Sequence, residues 1–219
     1  MKLRTRGISG TRNQAESERE RAHRVIARKA AAEGIVLLEN NGVLPLKKGS
    51  NVALYGGGAR HTIKGGTGSG SVNNRSNVSI DEGLRNAGFT VTTDAWLDAY
   101  DAAYEQSYAE WKAYIYEISE PGNFDSLYRA HASHPMQMPK GSAITKTDAA
   151  DAIYVISRVS GEGADRKAEP GDYYLSEQEE EELKAITECY DNTIVVLNVG
   201  GVMDVSFREK YNIAALVML

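Results

Sequence analysis

Four strand-length apolar runs constrain this chain more than any other feature: "NVALY" at 51–55, "DAIYVISRV" at 151–159, "TIVVLNVGG" at 193–201 and "IAALVML" at 213–219. They are close to continuous in Val, Ile, Leu and Ala instead of alternating with polar residues, and a strand of that kind needs cover on both faces. Between them stand helical patterns. Glu16 to Glu33 places Val25, Ile26 and Ala30 on one side and stops near Gly34. Ser79 to Gly88 has capping-box spacing, Ser79 to Glu82, with Gly88 in the C′ position before the strand "FTVTT". Residues 95–118 repeat Tyr100, Tyr104, Tyr108, Trp111 and Ile115 at three- and four-residue intervals, and "SEQEEEELKAITECY" carries a second capping box, Ser176 to Glu179. The alternation predicts an α/β fold, a mainly parallel sheet flanked by helices in a three-layer αβα sandwich.

Composition narrows the function classes. The 219 residues are 42% hydrophobic with a formal net charge of −5, enough for a real core and without the basic footprint of a nucleic-acid binder. No apolar run reaches membrane-spanning length. The basic N-terminal segment has no signal-peptide hydrophobic core after it, so a cytoplasmic protein without a membrane partner is the expectation. The single Cys189 excludes an internal disulfide and reads as a small buried hydrophobe on a helix. The aromatic repeat of 95–118 reads as core or a packing face before a ligand platform. The stretch from Glu120 to Thr147 holds three of the five prolines and no clear period, which predicts a long loop. "IAALVML" reads as an interior strand at the end of the chain, predicting either a longer protein or a strand completed by a partner.

In a parallel sheet, ligands bind beyond the C-terminal strand ends. Three loops stand there: "GGGARHTIKGGTGSGSVN", "SGEGADRKAEPGD" and "NVGG". The first contains neither GxxxxGK[ST] nor GxGxxG, which sets nucleotide binding aside, and Thr67 stands where a nucleophile elbow around Ser69 needs glycine. His131 and His134 lack a third partner at metal-ligand spacing, so neither a metal nor another cofactor is expected. A glycine loop rich in hydroxyls and free of acids suits a polar, uncharged ligand such as a sugar. In the second loop Glu162 lies between Gly161 and Gly163. Two readings of it stand at this point: a surface glutamate in a flexible turn, or a general acid projected without masking neighbours.

Four motifs in order, "HRVIARKAAAEGIVLLENNGVLPL", "IKGGTGSGSVN", "VISRVSGEGADRKAEPGDYYLSEQEEEEL" and "VVLNVGGVMDVS", resemble glycoside hydrolase family 3 of the β-glucosidase type, specifically its α/β sandwich domain. The resemblance runs from about His23 to Leu219, after a lead segment of residues 1–22. Family members are retaining enzymes with an aspartate nucleophile on a TIM-like barrel and an acid/base glutamate on a sandwich loop. The resemblance therefore implies that Glu162 is the acid/base. It implies that Thr67, Gly68 and Ser69 approach the sugar, with Ser69 the foremost contact, and that Asp165 and Arg166 support the acid/base loop. The implied partners are a β-linked glycoside and a TIM-like barrel of the same or another chain.

The sequence departs from the family pattern in having no barrel-like segment, no serine-aspartate-tryptophan nucleophile segment and no glycine- and glutamate-containing segment after the last apolar run. An incomplete sandwich domain, its last sheet elements missing and inactive by itself, is what this implies. The alternative is a non-catalytic carbohydrate-binding or interaction module of the same fold.

Overall fold

A computed structural model of the chain describes residues 15–66, 70, 72, 74–161 and 166–219, which divide after Ile35 into two units. The first contains helix α1, Glu18–Gly34, opened by a full capping box: Ser17 Oγ accepts the Glu20 N–H at 3.2 Å, and Glu20 Oε2 accepts the Ser17 N–H at 2.7 Å.

The second unit is built on a six-stranded sheet. Its strands are β1 (Val36–Asn40), β2 (Asn51–Tyr55), β3 (Thr90–Val91), β4 (Asp151–Arg158), β5 (Asn192–Val199) and β6 (Ala215–Met218), in the spatial order β1-β6-β5-β4-β2-β3. All pairs are parallel except β1 with β6. Helices α2 (Ile80–Asn86), α3 (Asp94–Ile118), α4 (Phe124–Ser133), α5 (Glu177–Cys189) and the short α6 (Phe207–Lys210) fill the connections. The apolar runs behave as their composition requires. Consecutive residues of β4 and β5 are buried, which happens only when both faces are covered, and Leu54, Ile156, Leu197 and Leu216 lie within the core. Each such side chain contributes about 1.5–3 kcal/mol by leaving water.

The helix-end signals operate as read, except that α2 forms only the Ser79 half of its capping box, Ser79 Oγ accepting the Glu82 N–H at 3.1 Å. α2 ends in a Schellman turn, with Gly88 N–H on Arg85 O at 2.9 Å, Phe89 N–H on Leu84 O at 3.1 Å, and Gly88 at φ +92° where a β-carbon would be strained. At α5 both halves of the capping box form, Glu179 N–H on Ser176 Oγ at 3.2 Å and Ser176 N–H on Glu179 Oε2 at 2.8 Å.

Three expectations need adjustment. The stretch 120–147 is not all loop, because Asn123 caps α4 by accepting the Ser126 N–H at 3.1 Å and α4 buries Ala130. His131 and the serines of α4 conceal its period, since they do not read as apolar. The aromatic repeat of α3 divides: Tyr100 and Ile115 are core, whereas Tyr108 is 40% exposed. Finally, β6 is no open edge. The antiparallel β1 pairs with it on one side and β5 on the other, leaving β1 as the edge strand with its residues exposed.

Candidate functional site

Sheet order locates the site before any side chain is considered. The chain passes from β2 outward to β3, then returns to place β4 on the other side of β2 and continues through β5 and β6. The direction reverses between β2 and β4, and at such a switch point the connections leave a crevice beyond the C-terminal strand ends. The two loops that flank it are the glycine loop after β2 and the loop carrying Glu162 after β4. Gly66 and Ser160 bring them into contact: a β-carbon on Gly66 would stand 2.5 Å from the Ser160 carbonyl oxygen. Only glycine allows that approach.

Of the site residues expected from the sequence, Thr67, Gly68, Ser69, Glu162 and Asp165 lie outside the described residues. Arg166 lies within them, and among the described residues it pairs with Asp172, Nη1 donating to Oδ1 at 2.7 Å. The other Asp172 oxygen accepts the Lys167 N–H at 2.8 Å. Burial pushes the Asp172 carboxyl up, but the Lys167 amide and the Arg166 guanidinium outweigh it and hold it below the usual carboxylate range.

Behind this pair stands Arg158, the last residue of β4, whose side chain is 8% exposed. Its guanidinium grips Glu179 with both forks, each at 2.6 Å. It also donates to the carbonyls of Ser157 at 2.8 Å, Asp172 at 3.0 Å and Tyr174 at 3.3 Å. One buried cation thus ties the strand end to the start of α5 and to the returning half of the Glu162 loop. Motif matching misses it. The available signal was a cation at the end of an otherwise apolar run, which implies a buried partner.

The glycine loop is rooted by a second arginine. Arg60, just past the turn 57–59, donates to Asp81 at 2.9 Å, Asp98 at 2.6 Å, Asp101 at 2.9 Å and Asp94 at 3.2 Å. Burial works against its charge, yet the carboxylates of Asp98, Asp101 and Asp81 overcome it and raise its pKa further. His61 follows, hydrogen-bonded to Asp101 at 2.9 Å and stacked on Tyr104 with ring centroids 3.8 Å apart. Thr62 donates to Gly58 O at 2.7 Å and accepts the Ile80 N–H at 3.0 Å, so the loop is tied at its root to α2. A cleft of about 410 Å³ opens beside this root, lined by Arg60, His61, Thr62, Asn77, Val78, Ser79 and Glu82. Its walls are mostly polar, and its guanidinium, Arg60, is already paired with four carboxylates, which suits a neutral polyol better than an anion.

Among the described residues no three His, Cys, Asp or Glu side chains converge as metal ligands, and no helix is long and apolar enough to cross a membrane.

Comparison with known proteins agrees with this fold. Residues 35–219 match the family model described as the glycosyl hydrolase family 3 C-terminal domain. The chain is 31% identical over 220 residues to beta-glucosidase A of Butyrivibrio fibrisolvens, covering 90% of this chain and 25% of that protein. It is 31% identical over 185 residues to a beta-glucosidase of Ruminococcus albus, covering 83% of this chain and 18% of that one. Among solved structures, beta-glucosidase 3B of Thermotoga neapolitana in complex with alpha-D-glucose superposes with a TM-score of 0.65 at 30% identity, over 93% of this chain and 27% of that chain. The chain therefore spans about a quarter or less of the length of these relatives.

Proposed function

The chain belongs to glycosyl hydrolase family 3 as its C-terminal domain, and on that footing we propose that it supplies the general acid/base and part of the sugar subsite of a retaining β-glucosidase-like hydrolase. The observation that carries the reading is the meeting of the glycine loop and the Glu162 loop at the sheet's switch point.

In a retaining mechanism two carboxyl groups stand about 5–5.5 Å apart. One attacks the anomeric carbon while the other protonates the departing oxygen, and the second later removes a proton from the water that releases the sugar. Glu162 takes the second role. Thr67, Gly68 and Ser69 take the role of sugar contacts, Gly68 because it has no β-carbon to hold a ligand off the backbone, Thr67 and Ser69 through their hydroxyls. Arg166, held by Asp172, supports the acid/base loop. The nucleophile comes from a TIM-like barrel of the same protein or of a partner, so the 219-residue chain by itself has no glycosidase activity.

The test is hydrolysis by an active assembly containing the chain, either in its full-length protein or with a separately expressed family barrel. Glu162→Gln should depress turnover of poor leaving groups by at least about a hundredfold and of activated aryl glucosides far less, since only the former need protonation. Equal losses on both classes would remove the acid role.

A further inference from the structure

The "NVGG" segment, which closes β5 and runs on to Gly201, has no part in the reading above, yet it touches both loops that matter there. Asn198 is buried, 6% exposed, at the end of β5. Its side-chain amide holds both backbone groups of one residue of the glycine loop: Oδ1 accepts the Ile63 N–H at 2.6 Å, and Nδ2 donates to Ile63 O at 2.8 Å. Two residues on, Gly200 O accepts the Ser160 hydroxyl at 2.8 Å. A β-carbon on Gly200 would lie 2.7 Å from that hydroxyl. The third side of the figure is the Gly66 approach to Ser160 O. Ile63 and Gly66, Ser160, and Asn198 with Gly200 therefore form a closed triangle of contacts among three loops, with Ser160 two residues ahead of Glu162 in the chain.

We propose that this triangle registers the sugar-contacting loop against the acid/base loop, making Asn198 and Gly66 positioning residues of the glycosidase site. The inference rests on the function proposed above, but the joint itself is a property of this chain and can be measured without catalysis. A triangle is rigid where a single contact is a hinge. Asn198 sets the root of the glycine loop relative to β5, Gly200 sets Ser160 relative to the same strand end, and Gly66 closes the gap between the two. A buried primary amide that pairs with both backbone groups of a remote residue is a costly arrangement to leave half made. Its loss frees Ile63 without disturbing the sheet ladder, because β5 pairs through its backbone.

Two variants of the isotopically labelled chain test this by amide hydrogen exchange and chemical shift. Asn198→Ala should speed exchange of the Ile63 N–H by at least about tenfold, since a buried donor loses its acceptor. It should also displace the Ser160 and Gly161 resonances, while Ile194 and Val195 in β5 keep their exchange rates. Gly66→Ala, which wedges a β-carbon against Ser160 O, should displace Ser160 and Gly200. Changes confined to residues 62–64 in the first variant, or an unmoved Ser160 in the second, overturn the joint. In an active glycosidase containing the chain, both variants should lose at least about tenfold more turnover on unactivated glucosides than on activated aryl glucosides, because displacement of the acid loop costs proton transfer selectively. Equal losses on both would overturn the positioning role and leave a fold defect. Absence of glycosidase activity from the unaltered assembly would instead count against the proposed function, with the exchange result still deciding the joint.

Discussion

Replacing Arg158 with methionine is expected to lower the stability of the chain by about 3 kcal/mol. The change keeps much of the aliphatic volume but removes all the donors, among them both forks to Glu179 at 2.6 Å and the bonds to the Ser157, Asp172 and Tyr174 carbonyls. Removing one member of a buried pair typically costs about 3–5 kcal/mol, because the survivor is left charged and unpaired. The lower end applies here. Glu179 is 18% exposed and keeps the Ser176 N–H at 2.8 Å, so water and the helix cap relieve part of its isolation. For a chain of this size 3 kcal/mol corresponds to a fall in Tm of roughly 6–12 °C. Urea unfolding at pH 7, followed by circular dichroism and tryptophan fluorescence, measures it, with an unchanged m value marking a pure stability effect. A cycle with Glu179→Gln should return a coupling of about 2 kcal/mol, the double variant losing less than the sum of the singles. A loss under about 1 kcal/mol, or a coupling near zero, would refute the argument, for the pair would then be worth no more than an exposed one.

Three other outcomes follow from burial and packing. Glu182, 7% exposed, has its carboxyl pushed up by burial, against the pull of hydrogen bonds from Gln178, Tyr154 and Gly141. A folded pKa above the unfolded one gives stability that is full below the ordinary glutamate value of 4.5 and is lost as pH rises through the raised value. Glu182→Gln should therefore gain on the parent chain as pH rises from 4 to 7 in parallel melts, and a pH-independent difference would show that this burial carries no charge penalty. Gly56→Ala should cost at least about 3 kcal/mol, since alanine would be held at φ +91° with its β-carbon 2.3 Å from Val155 O. Gly83→Ala in α2, whose nearest neighbour is 3.9 Å away, should instead gain up to about 1 kcal/mol. Equal effects in the two denaturation curves would contradict the packing argument.

The layered architecture was legible because burial on two faces leaves no room for polar residues, so "VALY", "AIYVIS" and "IVVL" announced interior strands directly. Caps were legible for a similarly local reason: Ser79, Ser176 and Gly88 act within one turn of their own positions. Pairing was not. Whether β1 or a partner would cover β6 depends on which distant segment returns to it, and a five-residue apolar strand looks the same in either place. The two arginine hubs were invisible to motif matching because their partners lie far along the chain: Arg158 meets Glu179 twenty-one positions away, and Arg60 meets Asp101 forty-one positions away.

The sequence by itself determined the sandwich, its family and the residue types of the two candidate loops, since periodicity and ordered motifs are properties of neighbours along the chain. Tertiary structure alone decided that Asn198 would clamp Ile63, 135 positions away, and that Gly66 would meet Ser160. Such contacts depend on strand order and register, and a sheet can bring any two loops together once their strands stand side by side.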